Sequence, residues 1–318
     1  MSERFKITPA TEAIIAELEI LRKKIVNAQL KGWGAIILGI IATFCLFSFG
    51  LDLASLLVGA LAIIPGVVIL YRISNDTSQY KYRFKQEVIA STLHSIHQSL
   101  TFDHDNGISE TEFINAQLFT TQPDRYHTED LVTGKDEKTT FYFAEVHAEY
   151  KTETQTKSGR QVHWHDILKG IIFSADFNKN FNGITVVRPK DFGSSIGAWF
   201  SENIFSFGDK DIVKLENDYF NKNFVTQSTN QVEARYILTP AMMEKIAELN
   251  ERSAYCISLS FINSSLYIAF PLDNNYFEPP VFKTLLTPDL LNEDMYMLSF
   301  MLDIVKELDL NTRIWTKA

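Results

Sequence analysis

The chain has 318 residues, a hydrophobic content of 46% and a formal net charge of -9 at pH 7. Residues 1–85 hold ten Lys or Arg against six Asp or Glu, whereas residues 86–318 hold 20 against 33. This acidic surplus argues against nucleic-acid binding, because such binding needs a positive surface that displaces counterions. The two cysteines, Cys45 and Cys256, imply no disulfide framework and fit a reducing compartment.

The first predicted element is an amphipathic helix within residues 1–31, starting near Pro9. Its apolar residues recur at spacings of four, three and four, which places them on one stripe of a helix: Ile14, Leu18, Leu21 and Ile25. The stripe fits two interpretations. One is a short coiled coil or partner-binding helix, and the other is a helix that packs on the chain's own body.

Residues 32–71 are predicted to form a transmembrane hairpin. Asp52 is the only charged residue in this range, and the stretches 32–49 and 53–71 each approach the roughly 20 apolar residues that cross a hydrocarbon core. Buried core helices or a cleavable signal fit less well, because neither stretch has a polar face and a polar segment of about thirty residues comes first. Small residues at helical spacing would allow close helix packing: Ala35, Gly39, Ser55, Gly59, Ala62 and Gly66.

The charges that flank the hairpin predict its orientation. Lys or Arg residues precede the first span and follow the second, whereas the turn between the spans has none: Lys23, Lys24, Lys31, Arg72, Lys81, Arg83 and Lys85. Since positive charge in short flanks stays on the cytoplasmic side, both termini should be cytoplasmic. We therefore expect a multi-pass protein of the cytoplasmic membrane that contacts the lipid bilayer through residues 32–71.

Residues 72–129 are predicted to form a helical connector. A second apolar stripe lies in a helix from about Asn75 to Thr101: Ile89, Leu93, Ile96 and Leu100. The following stretch, DHDNGISETEF, resembles a calcium loop, but its glycine and its last Glu fall at the fifth and tenth positions, where the EF-hand needs the sixth and twelfth. Ser109 and Glu112 instead match a capping box before an apolar run.

Residues 130–318 are predicted to form a β-rich domain. The segment FYFAEVHAEYKTE alternates polar and apolar residues, which is typical of a half-buried strand, and Asn182-Gly183 marks a hairpin turn. Further strands are expected at 223–228, 232–238, 255–261 and 266–270, and helices at about 240–251 and 288–308. The predicted fold class is α+β: a two-helix transmembrane hairpin with flanking amphipathic helices, then a largely antiparallel β-rich cytoplasmic domain with peripheral helices.

One stretch resembles a hydrolase nucleophile motif. GSSIG, residues 193–197, matches G-x-S-x-G with Ser195 at the nucleophile position. In that class the acid and then the histidine follow the serine, whereas all seven histidines of this chain precede it. We interpret the stretch as a glycine-serine loop and predict no catalytic residue there.

Three histidines are candidate zinc ligands. His163 and His165 lie two residues apart on a predicted strand and face one side, and His147 on the preceding strand is a candidate third ligand. The same strands carry residues typical of a solvated face: Gln161, Glu145, Glu149 and Lys151. Asp176 begins a run of turn-forming residues. We accordingly predict no catalytic, cofactor-binding or metal residues.

Six sequence words behind the N-terminal hairpin resemble an uncharacterised bacterial membrane-protein family, the domain of unknown function 3137. They occur in order over about residues 109–282: EDLVTG, FAEVHAEYKTET, VHWHDILKGIIFSADFNKNFNG, VKLENDYFNKNF, VEARYILTPAMMEKIAEL and SLSFINSSLYIAF. The resemblance implies a bacterial membrane location. It implies no activity, cofactor or site residue.

The expected function is that of a membrane-anchored, non-enzymatic interaction or scaffold protein, whose acidic domain binds a protein partner or its own copies. The alternative is an enzyme or small-ligand-binding module with a site near His163, His165 and Asp176. A deep pocket with converging ionisable groups would favour the alternative, whereas an exposed apolar patch would favour a partner surface. Neither a cofactor nor a nucleic-acid partner is expected.

Overall fold

The computed structural model describes residues 8–50, 52–156, 159–177, 180–190, 212–253, 256–272, 274–308 and 310. The helices are α1 (Pro9–Ser48), α2 (Asp52–Arg83), α3 (Ala90–Ile96), α4 (Glu110–Asn115), α5 (Asp218–Asn223), α6 (Gln231–Ile237), α7 (Pro240–Arg252) and α8 (Asn292–Glu307), with a π-helical segment at Phe84–Ile89. The strands are β1 (Thr101–Asp103), β2 (Arg125–Asp136), β3 (Thr139–Thr156), β4 (Gly159–Asp176), β5 (Thr185–Pro189), β6 (Phe224–Ser228), β7 (Ser258–Ile262) and β8 (Ser265–Pro271). Ser195 and its motif lie outside the described residues.

These elements confirm the predicted α+β class, since two long apolar helices precede an antiparallel sheet with helices. The chain divides into two compact units. The first contains the residues up to Ile96 together with Phe277–Asp294, and the second contains His97–Tyr276 together with the residues from Met295 onward. The predicted boundaries at 31, 71 and 129 assign Phe277–Asp294 to the β-rich domain, whereas this segment belongs to the same unit as the N-terminal helices.

In the first unit, α1 and α2 pack closely through small residues. A Cβ atom added to Gly66 would lie 2.7 Å from the carbonyl oxygen of Gly32, and one added to Gly39 would lie 3.2 Å from that of Gly59. Backbones approach this closely only where side chains are absent, so the glycines permit the contact. The helical stretches Pro9–Ser48 and Leu56–Ile96 are each long and apolar enough to cross a membrane.

Part of each amphipathic stripe beside the apolar stretches is fully buried within the first unit. Leu18 and Ile25 of α1 and Ile89 and Leu93 beyond α2 have no exposed surface. Of the two interpretations of the N-terminal stripe, packing on the chain's own body is the one observed. The second helical region ends at Ile96 rather than at Thr101, and part of the predicted helical connector forms β1 and β2.

The segment Phe277–Asp294, here called the clasp segment, is hydrogen-bonded through its backbone to a buried ion pair of α1. Arg22 donates two hydrogen bonds to the carboxylate of Glu19, at 2.7 and 2.8 Å, and a third to the carbonyl oxygen of Val281 at 2.8 Å. The Glu19 carboxylate also accepts from the Leu285 N–H at 2.9 Å. Both charged side chains are buried, and their polar groups are matched with one another and with backbone groups.

The clasp segment is also tied to α2 and the π-helical segment. The hydroxyl of Tyr80 donates to the carbonyl oxygen of Pro280 at 2.8 Å. The ammonium groups of Lys81 and Lys85 each lie 2.8 Å from the Glu278 carboxylate. Burial acts to raise the pKa of Glu278, but the two ammonium groups outweigh it and hold the pKa below its usual value.

The second unit is built on an eight-stranded antiparallel sheet with the order β1-β2-β3-β4-β8-β7-β5-β6. Its centre is the hairpin of β3 and β4, whose strands each have 18 residues. One face of this hairpin carries the predicted apolar alternation, and it packs in a cluster with residues around α4: Ala144, Val146, Ala148, Phe113 and Leu118. On the other face, Phe141 stacks on Phe173, and Phe270 meets Phe300 of α8 edge to face.

The serine of the predicted capping box caps α4. The hydroxyl of Ser109 accepts from the Glu112 N–H at 3.2 Å, as the sequence indicated. The carboxylate of Glu112 does not complete the box in the predicted way, because it accepts a hydrogen bond from the hydroxyl of Tyr142. Burial and this bond raise the pKa of the Tyr142 hydroxyl well above its usual value.

The prediction of a strand over residues 232–238 is wrong, because residues 232–237 lie in α6 and Leu238 caps its C-terminal end. The side chain of Asn230 caps the helix by accepting from the Glu233 N–H at 3.1 Å. The Glu233 carboxylate in turn accepts from the backbone N–H groups of Asn182 and Gly183, at 3.1 and 2.8 Å. The cap and these long-range bonds outweigh the strand propensity of a short apolar run.

Candidate functional site

The face of β3 and β4 that carries Phe141 and Phe173 continues into a patch of ionisable residues, to which β2 also contributes. His127 lies directly opposite His147, and Glu129 lies directly opposite Glu145, in the register of β2 and β3. Side chains at directly opposite positions share a face, with Cβ atoms about 4.5–5.5 Å apart. Two imidazoles and two carboxylates are thus gathered on one patch of the sheet.

A β-bulge in β4 brings a further carboxylate to this patch. Lys169 pairs with His147 and Leu168 with Ala148, but Asp166 pairs with Glu149, so β4 contains one extra residue. Ile167 and Leu168 are both buried in the same apolar cluster on the opposite face. Because the bulge places two successive side chains on that face, Asp166 and Lys169 both face His147.

The resulting cluster consists of His147, Glu149 and Asp166. The His147 Nε2 atom lies 2.6 Å from an Asp166 carboxylate oxygen, and one candidate ligand atom from each residue lies within 4.8 Å of the others. The side chains are 41%, 21% and 30% exposed in that order, so the cluster is half-buried and open to small solutes. Arg125 has one guanidinium nitrogen 3.8 Å from Glu149, while its guanidinium carbon lies 3.4 Å from the centre of the Trp164 ring.

A cleft of about 160 Å³ adjoins the cluster at His147. Its polar lining includes two carboxylates, one ammonium group, two imidazoles and one amide: Glu129, Glu145, Lys169, His127, His147 and Asn275. Gly170 forms part of the wall and has a φ of +155°, and a Cβ atom there would collide with the carbonyl oxygen of Phe270. The backbone approach that shapes this wall therefore requires glycine.

The structure does not bring together the three histidines that the sequence offers as zinc ligands, His147, His163 and His165. His147 lies on the opposite face of the sheet from His163 and His165. The bulge is the reason, because regular pairing would have placed all three histidines on one face. The His165 imidazole stacks on Tyr150, 5.1 Å between ring centres, and bonds to the Thr152 hydroxyl at 2.8 Å. Tyr150 packs against the apolar cluster on the opposite face.

Asp176 is equally remote from these histidines. It pairs with Ser265 at the far end of β4, about 35 Å along the strand from His165 at the usual rise per residue. The residues named for the alternative function therefore do not form one site.

Sequence reasoning identified part of the observed cluster. The alternation on β3 correctly places His147 and Glu149 on one face, so two of the three cluster residues were recognisable as neighbours. Asp166 was not identifiable, because its face depends on the bulge. His127 required the register between β2 and β3, which no local pattern specifies.

The comparisons with known proteins concern family and fold. Residues 166–310 match the family described as "Protein of unknown function (DUF3137)", which confirms the resemblance over less than half of the chain. No curated protein matches the chain. Among solved structures, the crystal structure of the mycobacterial trehalose monomycolate transport factor A, TtfA, is similar at a TM-score of 0.40 and 11% identity. That similarity covers 75% of this chain and 97% of the other, and at this TM-score it carries no argument about function.

Proposed function

We propose that the protein is a membrane-anchored, non-enzymatic interaction or scaffold protein. The observation that carries this proposal is the outward display of large apolar side chains on α1 and α2. Each of the following is more than half exposed: Leu38, Ile40, Phe44, Phe47, Leu56, Leu57, Leu61 and Ile64. Only 11% and 17% of the residues in the most apolar windows of the two helical stretches are buried. In a core helix of a soluble protein, such apolar residues are buried against other elements.

The compartment follows from the same helices and their flanks. The positive residues on both sides of the hairpin favour a cytoplasmic location for the two termini, and the resemblance to a bacterial family favours the cytoplasmic membrane of a bacterium. In this arrangement the protein is multi-pass, and the acidic second unit lies in the cytoplasm.

A partner-binding role for the second unit is supported by an exposed apolar pair on α6. Val232 and Tyr236 lie one helical turn apart and are 79% and 53% exposed, whereas Ala234 and Ile237 of the same helix are buried. Exposed apolar side chains at helical spacing are suited to a protein partner or a second copy of the chain. The acidic surplus of residues 86–318 favours a partner with a basic surface.

Membrane anchoring is tested by alkaline carbonate extraction of cell membranes. The wild-type chain should stay in the pellet, while Leu38→Arg combined with Leu61→Arg should shift a large part to the supernatant, because each arginine costs roughly 2.5–3.5 kcal/mol at the centre of a span. Val232→Arg, a change on the exposed surface of α6, serves as the control and should remain in the pellet. Extraction of the wild type would contradict the proposal.

The partner role is tested by placing a photo-crosslinking amino acid at Val232 or at Tyr236 in living cells. We expect a discrete adduct from both positions, and none from Glu248, which is exposed on α7. Mass spectrometry then shows whether the adduct contains a second protein or another copy of the chain. If the α6 positions give no adduct beyond that of Glu248, the proposed surface is wrong.

A second candidate function, a small-ligand-binding module, is favoured by the polar cleft at His147 rather than by His163, His165 and Asp176. Its lining of both charges suits a small polar molecule. Native mass spectrometry of the purified chain tests this candidate. A co-purifying small molecule should be present in the wild type and lost in Lys169→Ala, and an unliganded wild type would count against it.

A further inference from the structure

We propose that His147, Glu149 and Asp166 form a binding site for a divalent transition-metal ion. One imidazole and two carboxylates make a nitrogen and oxygen donor set of the kind that binds Zn²⁺ and its neighbours in the first transition row. This inference goes beyond the interaction role proposed above and does not depend on it.

The geometry of the three side chains fits such an ion. Ligand atoms around a tetrahedral Zn²⁺ lie about 3.3 Å apart when each is about 2.0–2.1 Å from the metal. The three candidate atoms lie within 4.8 Å of one another. The His147 and Asp166 atoms are hydrogen-bonded at 2.6 Å and would separate by less than about 1 Å to hold the ion between them. All three residues lie on the paired strands β3 and β4, so small side-chain rotations are enough to bring their ligand atoms to the required spacing.

The bulge in β4 is what makes the third ligand available. Regular pairing would point Asp166 into the apolar cluster on the other face, where a carboxylate would be costly to bury. Bulges are enriched next to functional sites, where they redirect a side chain. Here the extra residue places Asp166 beside His147 while Ile167 and Leu168 stay in the core.

The surroundings leave the ion open to a further ligand. The cleft begins at His147, and three protein ligands with an accessible fourth position are typical of zinc sites that bind small molecules. His127, opposite His147, offers a second imidazole on the same face. The guanidinium of Arg125 competes for Glu149, but at 3.8 Å it leaves that carboxylate able to bind a metal.

The test uses the full chain, purified in detergent without a polyhistidine tag and stripped of metal with a chelator. Isothermal titration with Zn²⁺ should show one saturable site per chain, and Co²⁺ should give the visible absorption of a low-coordinate complex. His147→Gln and Asp166→Asn should each weaken Zn²⁺ binding at least about tenfold and abolish the cobalt spectrum. Asp166→Asn has the shape of the native residue and accepts a hydrogen bond, so it also serves if His147→Gln fails to fold.

His163→Gln and His165→Gln are the matched controls, because each removes an imidazole from β4, the strand of Asp166, on the opposite face of the sheet. Both should bind Zn²⁺ as tightly as the wild type. Absence of one-to-one binding by the wild type, or equal affinity in Asp166→Asn, would overturn the site. Failure of this site leaves the membrane-anchored interaction role untouched, since its tests involve neither metal nor cleft.

Discussion

At the scale of single residues, the ion pair of Glu19 and Arg22 holds the clasp segment to α1. The side chains are 4% and 9% exposed, and Glu19 accepts three hydrogen bonds from Arg22 and the Leu285 N–H. The hydrogen bonds from Arg22 are the main cause that lowers the pKa of Glu19 to about 2. A charged group held this way stabilises the fold only while it is ionised.

We predict that Glu19→Gln strongly destabilises the protein, by about 3–5 kcal/mol, because Arg22 then remains buried without its counter-charge. Chemical denaturation in detergent, followed by circular dichroism, measures the change. Glu17→Gln is the matched control: Glu17 is 67% exposed and pairs with Arg83 at 3.2 Å, so its loss should cost less than about 1 kcal/mol. Equal effects of the two changes would show that the buried pair contributes nothing special.

The same pair predicts an acid-labile step. The pKa of Glu19 is lower in the folded state than its ordinary value of 4.5, so its contribution is complete above pH 4.5 and is lost as the pH falls toward about 2. The free energy of unfolding should therefore fall more steeply over this range in the wild type than in Glu19→Gln. Parallel curves for the two proteins would contradict this assignment.

Ser109 is the second residue whose role is sharply testable. Ser109→Ala should lower stability by roughly 0.5–2 kcal/mol, because it leaves the Glu112 N–H of α4 without its capping acceptor. Ser109→Asp should retain wild-type stability, since aspartate is an equally good cap. Thermal unfolding of both variants measures these effects. Wild-type stability of Ser109→Ala would show that the Ser109 hydroxyl does not stabilise α4.

At the scale of elements, local sequence patterns predicted those helices and strands whose formation depends on residues close together in the chain. Stripes at helical spacing located the helical regions, the alternation in 141–153 located β3, and a serine with a glutamate three residues later located the start of α4. The pattern of 232–238 misled, because the helix there is fixed by a cap at Asn230 and by bonds from Glu233 to a distant turn. The face of Asp166 depended on a bulge that no periodicity reveals.

The packing of α1 on α2 is predicted to depend on particular glycines. Gly66→Ala should weaken the contact, because the new methyl group would lie 2.7 Å from the Gly32 carbonyl oxygen and force the backbones apart. Gly34→Ala is the matched control in the same apolar region, since a Cβ atom there has no neighbour within 4 Å. Thermal denaturation in detergent should show a lower midpoint for Gly66→Ala only, and an unchanged midpoint would mean that the helices are not held by this contact.

At the scale of the whole molecule, charge and apolarity are separated along the chain. Residues 1–85, which contain the two apolar stretches, carry a basic surplus, and residues 86–318 carry an acidic surplus. Such a separation suits a protein whose hairpin is set by positive flanks while its acidic part remains in the aqueous phase. The late clasp segment belongs to the same unit as the helices, which sequence order alone does not indicate.

The last prediction concerns topology. If the positive flanks set the orientation, residues from Arg72 onward share the cytoplasmic compartment, because no further apolar span follows the hairpin within the described residues. Green fluorescent protein fused to Ala318 should then fluoresce in bacterial cells, and alkaline phosphatase fused there should be inactive. As the matched control, phosphatase fused after Gly50, in the turn between the helices, should be active because the turn lies outside. Active phosphatase at Ala318 with a dark fluorescent fusion would place the second unit outside and would overturn both the charge argument and the proposed cytoplasmic partner.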